Sequence, residues 1–104
     1  MLRLGFAIVR GRSMQPTYVD GDRLLLVHGA RARVGRPAVV RLPDGVVAVK
    51  RVVRREPGGC WVERDNPAEG VDSWVVGAIR DEDVLAVVVA RVWPFHRAKG
   101  RRSS

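Results

Sequence analysis

Val84-Leu85-Ala86-Val87-Val88-Val89-Ala90-Arg91-Val92-Trp93 is the stretch that decides the fold. Periodicity alone permits either a helix over 81–92 or a strand. Five of its ten residues are valine. Valine is stiff at χ1 and packs well on a pleated surface, so the strand is favoured. Both alternating sets of side chains are apolar, which predicts a central strand buried on two sides. Outward from it, short apolar runs recur at 4–10, 23–28, 38–42, 46–55 and 60–64, and 73–79 reads as extended. Asp20-Gly21-Asp22, Pro43-Asp44-Gly45 and Glu56-Pro57-Gly58-Gly59 separate them as turns. The 46–55 run reads as the second strand of a hairpin closed at Pro43-Asp44-Gly45. Twenty valines against seven leucines and two isoleucines point the same way. The expectation is a single all-β domain over 1–96, with a basic flexible tail at 97–104.

The chain has 19 Lys+Arg against 11 Asp+Glu, a net charge of +8. Such a balance admits nucleic acid or an anionic membrane surface as partner. Residues 91–104 hold Arg91, Arg97, Lys99, Arg101 and Arg102 and no acid, so five of the eight charges lie there. Trp61, Trp74 and Trp93 are not interleaved with these cations as a single-strand binder needs, so they read as core or groove packing. No apolar run approaches the roughly 20 residues of a transmembrane helix. The start, broken by Arg3 and Gly5, lacks a signal-peptide pattern. Cys60 is the one cysteine, which excludes an internal disulfide and fits a cytoplasmic setting. His28 and His96 have no ligand at metal spacing and no phosphate loop is present, so neither metal nor cofactor is expected.

Serine is scarce, and Ser13 lies in Gly11-Arg12-Ser13-Met14-Gln15-Pro16-Thr17, between a predicted strand and a turn. A strand-end loop exposes a nucleophile on a rigid base, although a turn serine bonding its own backbone fits the pattern too. Lys50 adds a second signal. Alternation places Val46, Ala48, Lys50 and Val52 on one face, with lysine its only charge. Desolvation there favours the neutral amine, which accepts a proton; a guanidinium cannot. Only two of the 19 basic residues are lysines, Lys50 and Lys99, so this lysine reads as chemically selected. The competing reading is a lysine snorkelling at a sheet edge. Serine with lysine is a nucleophile–base pair.

The Ser13-Met14-Gln15-Pro16-Thr17 segment, followed by Gly21-Asp22, resembles the nucleophile box of signal peptidase I-like serine peptidases. Val49-Lys50-Arg51-Val52-Val53 resembles their lysine box, and Asp65-Asn66 with Asp72-Ser73 their last box. Gly77, the Val84 strand and Trp93-Pro94 resemble the closing strand. The boxes stand in order over roughly residues 5–95. The resemblance implies the coiled β fold of short strands and hairpins shared by signal peptidases and self-cleaving repressors. It implies that Ser13 Oγ attacks the scissile carbonyl, that Lys50 is the general base, and that the Ser13 N–H holds the oxyanion. The precursor polypeptide would lie extended like an added strand. Val9, Gly11, Met14, Tyr18, Ala48 and Val49 would line its cleft, and Asn66, Asp72 and Ser73 would support the site.

Some positions depart from the family's pattern. Gly11 stands where some relatives add a serine hydroxyl to the oxyanion site. Gly70 replaces the serine that orients the lysine in many relatives, leaving Ser73, a backbone carbonyl or a water for that role. Trp74 replaces an arginine and Arg64 a glycine. Small size, no membrane anchor and a short loop between the lysine and last boxes resemble the maturation proteases of nickel-type superoxide dismutase. The expected function is a serine endopeptidase removing an N-terminal propeptide or signal segment, with no nucleic acid bound and no transmembrane segment. Two alternatives stand beside it. One is a general signal peptidase in peripheral contact with the membrane. The other is a basic β-module binding nucleic acid or an anionic surface with an inactive dyad.

Overall fold

The computed structural model describes residues 2–68 and 76–94. Asp72, Ser73, Gly70, Trp74 and the tail from 97 lie outside the described residues. Seven strands form: β1 (Arg3–Ile8), β2 (Arg23–His28), β3 (Pro37–Arg41), β4 (Val47–Glu56), β5 (Gly59–Glu63), β6 (Ile79–Arg80) and β7 (Val84–Trp93). A 3-10 turn, Asp81–Asp83, links the last two. The all-β expectation holds, and β2 and β7 match the expected 23–28 and 84–93. The extended reading of 73–79 does not hold at Val76, which is helical; strand structure begins at Ile79.

The strands make one antiparallel sheet ordered β1-β2-β7-β3-β4-β5-β6. β7 is central as expected, between β2 and β3. Irregular registers interrupt β2–β7, β3–β7 and β4–β5. Bulges of this kind bend a strand and increase its twist, which coils the sheet. The β3–β4 hairpin closes where expected: Gly45 N–H donates to the Leu42 carbonyl and Leu42 N–H to that of Val46, both at 2.8 Å. Gly45 holds φ +89°, a conformation that suits glycine.

Two apolar clusters result. Ala38, Val40, Leu42, Val52, Cys60, Val62 and Ile79 form one. Val9, Leu24, Leu26, Val39, Ala86 and Val88 form the other. Alternation along β3 sends Ala38 and Val40 to the first and Val39 to the second, so this strand is covered on both faces.

Candidate active site

Ser13 rides on a loop closed at its base. Val9 N–H donates to the Asp22 carbonyl and Gly21 N–H returns to that of Val9, both at 2.8 Å. The buried carboxylate of Asp22 accepts the Val19 N–H at 3.0 Å. Gly21 makes the tight turn with φ +94°. Within the loop, Gln15 N–H donates to Arg12 O and Tyr18 N–H to Met14 O. Met14 is buried and pins this turn to the body.

A second segment clamps the same loop from outside. Asn66 donates its backbone N–H to the Ser13 carbonyl at 2.7 Å and its side-chain amide to the Arg12 carbonyl at 2.8 Å. Its neighbour Asp65 accepts the Thr17 hydroxyl at 2.6 Å. Arg51 grips Asp65 with both arms of its fork, Nε on Oδ1 at 2.9 Å and Nη2 on Oδ2 at 2.7 Å. Its third nitrogen donates to the Gly35 carbonyl at 2.8 Å. This geometry holds the Asp65 carboxyl below the usual carboxylate range, chiefly through the Arg51 hydrogen bonds. The Arg51 guanidinium is shifted upward in return. Burial pushes the Tyr18 phenol up, with the Arg51 charge opposing.

Lys50 precedes Arg51 on β4 and faces the other way. It is 2% exposed and leads in size the side chains that are fully buried. Its Cα partner is Ala38, and its face continues into Val52 of the first cluster. Val46, assigned to the same face, is instead exposed, because it still belongs to the hairpin turn.

A cleft of about 340 Å³ opens at Ser13. Ala7, Ile8 and Val9 line one side and Val46, Val47, Ala48 and Val49 the other, with Met14 and Val39 between them. Of the residues assigned from sequence, Val9, Met14, Ala48 and Val49 line this cleft together with Ser13. Gly11, Tyr18 and Lys50 are not in its lining. Gly11, at φ +86°, donates its N–H to Asp20 at 2.8 Å, and Tyr18 packs against the second cluster. Asn66 sits on the Ser13 loop, while Asp72 and Ser73 are outside the described residues.

The two walls share one property. β1 is the outermost strand of the sheet. β4 pairs with β3 over Val47 to Arg51, but with β5 only from Arg51 onward. Among the described residues, Val47, Ala48 and Val49 therefore have no strand partner on that side. Two strand edges flank the cleft, and an extended chain placed between them would find backbone partners on both.

The roles of Arg51, Asp65, Thr17 and Asp22 were missed from sequence. Strand alternation carried one available signal: beside an inward Lys50, Arg51 must face outward and needs a partner. Among the described residues no group of three His, Cys, Asp or Glu side chains gathers to hold a metal, and Cys60 is buried in the first cluster. No helix among them is long and apolar enough to cross a membrane.

No curated protein matches the chain. A family model does: the Peptidase S24-like family matches residues 3–89. Its span starts at the first residue of β1, runs through Ser13 and Lys50, and ends inside β7. This covers most of the chain, which belongs to the Peptidase S24-like family.

Proposed function

We propose that the protein is a serine endopeptidase in which Ser13 is the nucleophile and Lys50 the general base, and that it removes an N-terminal segment from a precursor polypeptide. The observation that carries this reading is the cleft: Ser13, on a loop clamped from both sides, opens between two strand edges on small apolar walls. The family supports peptide-bond chemistry in general.

The precursor lies extended between β1 and the first half of β4, with a small side chain against Ala48, Val49 and Met14. Lys50 takes the Ser13 hydroxyl proton as Oγ attacks the scissile carbonyl. Its side chain is buried, and an amine at that place is a group able to accept and return the proton that the reaction moves. The Ser13 N–H stabilises the oxyanion. Lys50 then gives the proton to the leaving amine, and water hydrolyses the acyl-enzyme by the same route in reverse. Asn66 and Asp65 support the geometry by fixing the Ser13 loop, and Ser73, a backbone carbonyl or a water is left to orient Lys50. The specific precursor proposed is that of a nickel-type superoxide dismutase.

The test is cleavage of a precursor by purified protein, followed by mass spectrometry of the products. Ser13→Ala and Lys50→Ala are each expected to abolish product formation while the fold persists. Retained cleavage in either would falsify the dyad. Cleavage of an unrelated exported precursor, with the dismutase precursor untouched, would replace the substrate and leave the chemistry.

A further inference from the structure

The connection from β2 to β3 carries charge without counter-charge. Gly29-Ala30-Arg31-Ala32-Arg33-Val34-Gly35-Arg36 holds three arginines and no acid. Its backbone is held at several points. Ala32 is buried in the first cluster, while Arg31 and Arg33 on either side of it are exposed. Arg55 of β4 donates from Nη1 to the Ala32 carbonyl at 2.8 Å, and Arg51 donates to that of Gly35 at the same distance. Gly35 N–H donates to the Val52 carbonyl at 2.8 Å, and Val52 N–H to that of Arg36 at 3.0 Å. A loop fixed in this way loses little backbone entropy on binding a partner.

Arg31, Arg33 and Arg55 line one open groove of about 680 Å³, together with Leu2, Ala30 and Val34. No acidic side chain lines it. Among the described residues, none of the three arginines is in an ion pair. Asp81 shares a neighbouring hollow with Arg31 without pairing to it. Leu2 is 64% and Val34 60% exposed, so the groove also offers bare apolar surface. It is a separate place from the Ser13 cleft. Leu2 stands just before β1 and Ile8 at its end, roughly 20 Å of strand away.

Charge and apolar surface together select the occupant. A guanidinium takes a carboxylate or a phosphate through paired hydrogen bonds. A single-stranded nucleic acid also needs aromatic side chains for its bases, and none lines the groove. Inorganic phosphate would leave Leu2 and Val34 bare. A polypeptide segment that mixes acidic with apolar residues meets both. We propose that this groove docks an acidic segment of a partner polypeptide. Its carboxylates meet Arg31, Arg33 and Arg55, and its apolar side chains cover Leu2 and Val34. The proposal does not rest on peptidase activity.

The test is fluorescence anisotropy of the full chain with a fluorescein-labelled peptide of about ten residues, built from Glu, Leu and Ala, at physiological salt. Saturable binding is expected. Replacing Glu by Gln in the peptide is expected to weaken it at least tenfold, and replacing Leu by Ser several-fold. Arg31→Gln/Arg33→Gln is expected to weaken binding about tenfold, roughly threefold for each lost ion pair. Circular dichroism checks that the variant folds, and the peptide series gives a readout that needs no variant. Arg97→Gln/Arg101→Gln removes the same charge from the tail and is expected to leave binding intact. Absence of binding overturns the proposal. So does equal weakening by the tail variant, since net charge alone would then carry it, and so does a serine peptide that binds as well as the leucine one. Displacement of the peptide by a single-stranded oligonucleotide at lower concentration would make the groove a nucleic-acid surface. A dimer in sedimentation that Arg31→Gln/Arg33→Gln dissociates would make the occupant a second copy. Either result also overturns it.

Discussion

Replacing Asp65 by asparagine keeps the shape of the clamp and removes its charge. The carboxylate accepts three hydrogen bonds, two from Arg51 and one from Thr17. Exposed ion pairs contribute about 0–1 kcal/mol, while breaking a buried one costs about 3–5 kcal/mol. This pair lies between those limits, with side chains 29% and 14% exposed. Asparagine retains one acceptor, and Arg51 keeps the Gly35 carbonyl. The loss expected for Asp65→Asn is about 1.5–2 kcal/mol at pH 7, which lowers Tm by roughly 8 °C in a chain of this size. The pH dependence fixes the cause. Asp65 titrates lower in the folded protein than in the unfolded chain, first because of Arg51. The unfolded state therefore binds more protons between the two values. The stabilisation is complete above the unfolded carboxylate value of about 3.9 and is lost as pH falls through the folded one. Urea unfolding followed by circular dichroism at a series of pH values measures this directly. The gap between wild type and Asp65→Asn is expected to close below about pH 4. A double-mutant cycle with Arg51→Gln is expected to return about 1–2 kcal/mol of coupling. Equal stability at pH 7, or a gap that persists in strong acid, would refute the assignment of charge-assisted bonding to this clamp.

Asn66→Ala loses the amide bond to the Arg12 carbonyl but keeps the backbone bond to Ser13. It is expected to lower kcat for precursor cleavage about tenfold with little change in KM, because the loop loosens while the cleft walls stay. Gly59→Ala would place a Cβ 2.5 Å from the Ile79 carbonyl oxygen. A cost of about 2 kcal/mol or more is expected from the forced separation of β5 and β6, read as a lower urea midpoint. The Cys60 thiol is buried, and burial pushes its pKa up. Alkylation by iodoacetamide at pH 8 is expected to be at least tenfold slower in the native protein than in urea, measured by mass shift.

What was legible in the sequence follows from local physics. Period-2 patterning and the Pro43-Asp44-Gly45 turn placed the β3–β4 hairpin, and valine density on both faces placed β7 inside the sheet. Alternation around Lys50 anticipated its burial. The order β2-β7-β3 was not legible, since it joins strands far apart in sequence and no local rule sets it. Nor was the clamp, whose partners are 14 and 48 positions apart. The pattern of residues 4–10 predicted a strand but not that its apolar side would remain uncovered, because that depends on what the other strands fail to cover. Val76 was misread as extended because the adjacent valines Val75-Val76 carry a strand signal, whereas Val76 is helical and Gly77 follows at φ +84°.

Lys50 and Arg51 show why the two basic residues are not interchangeable along β4. Consecutive strand residues face opposite sides, so Lys50 is buried while Arg51 turns outward to Asp65. Arg51 meets a carboxylate through two parallel bonds, a geometry that the single ammonium of lysine cannot reproduce. At the buried position the requirement reverses. A guanidinium there would remain charged at any working pH, whereas an amine can shed its proton and take another. Exchanging the pair would place a permanent charge in the core and weaken the clamp on the loop, two faults from a swap that leaves composition and net charge unchanged. What distinguishes the two positions is the order of the residues on the strand, which a count of basic residues does not register.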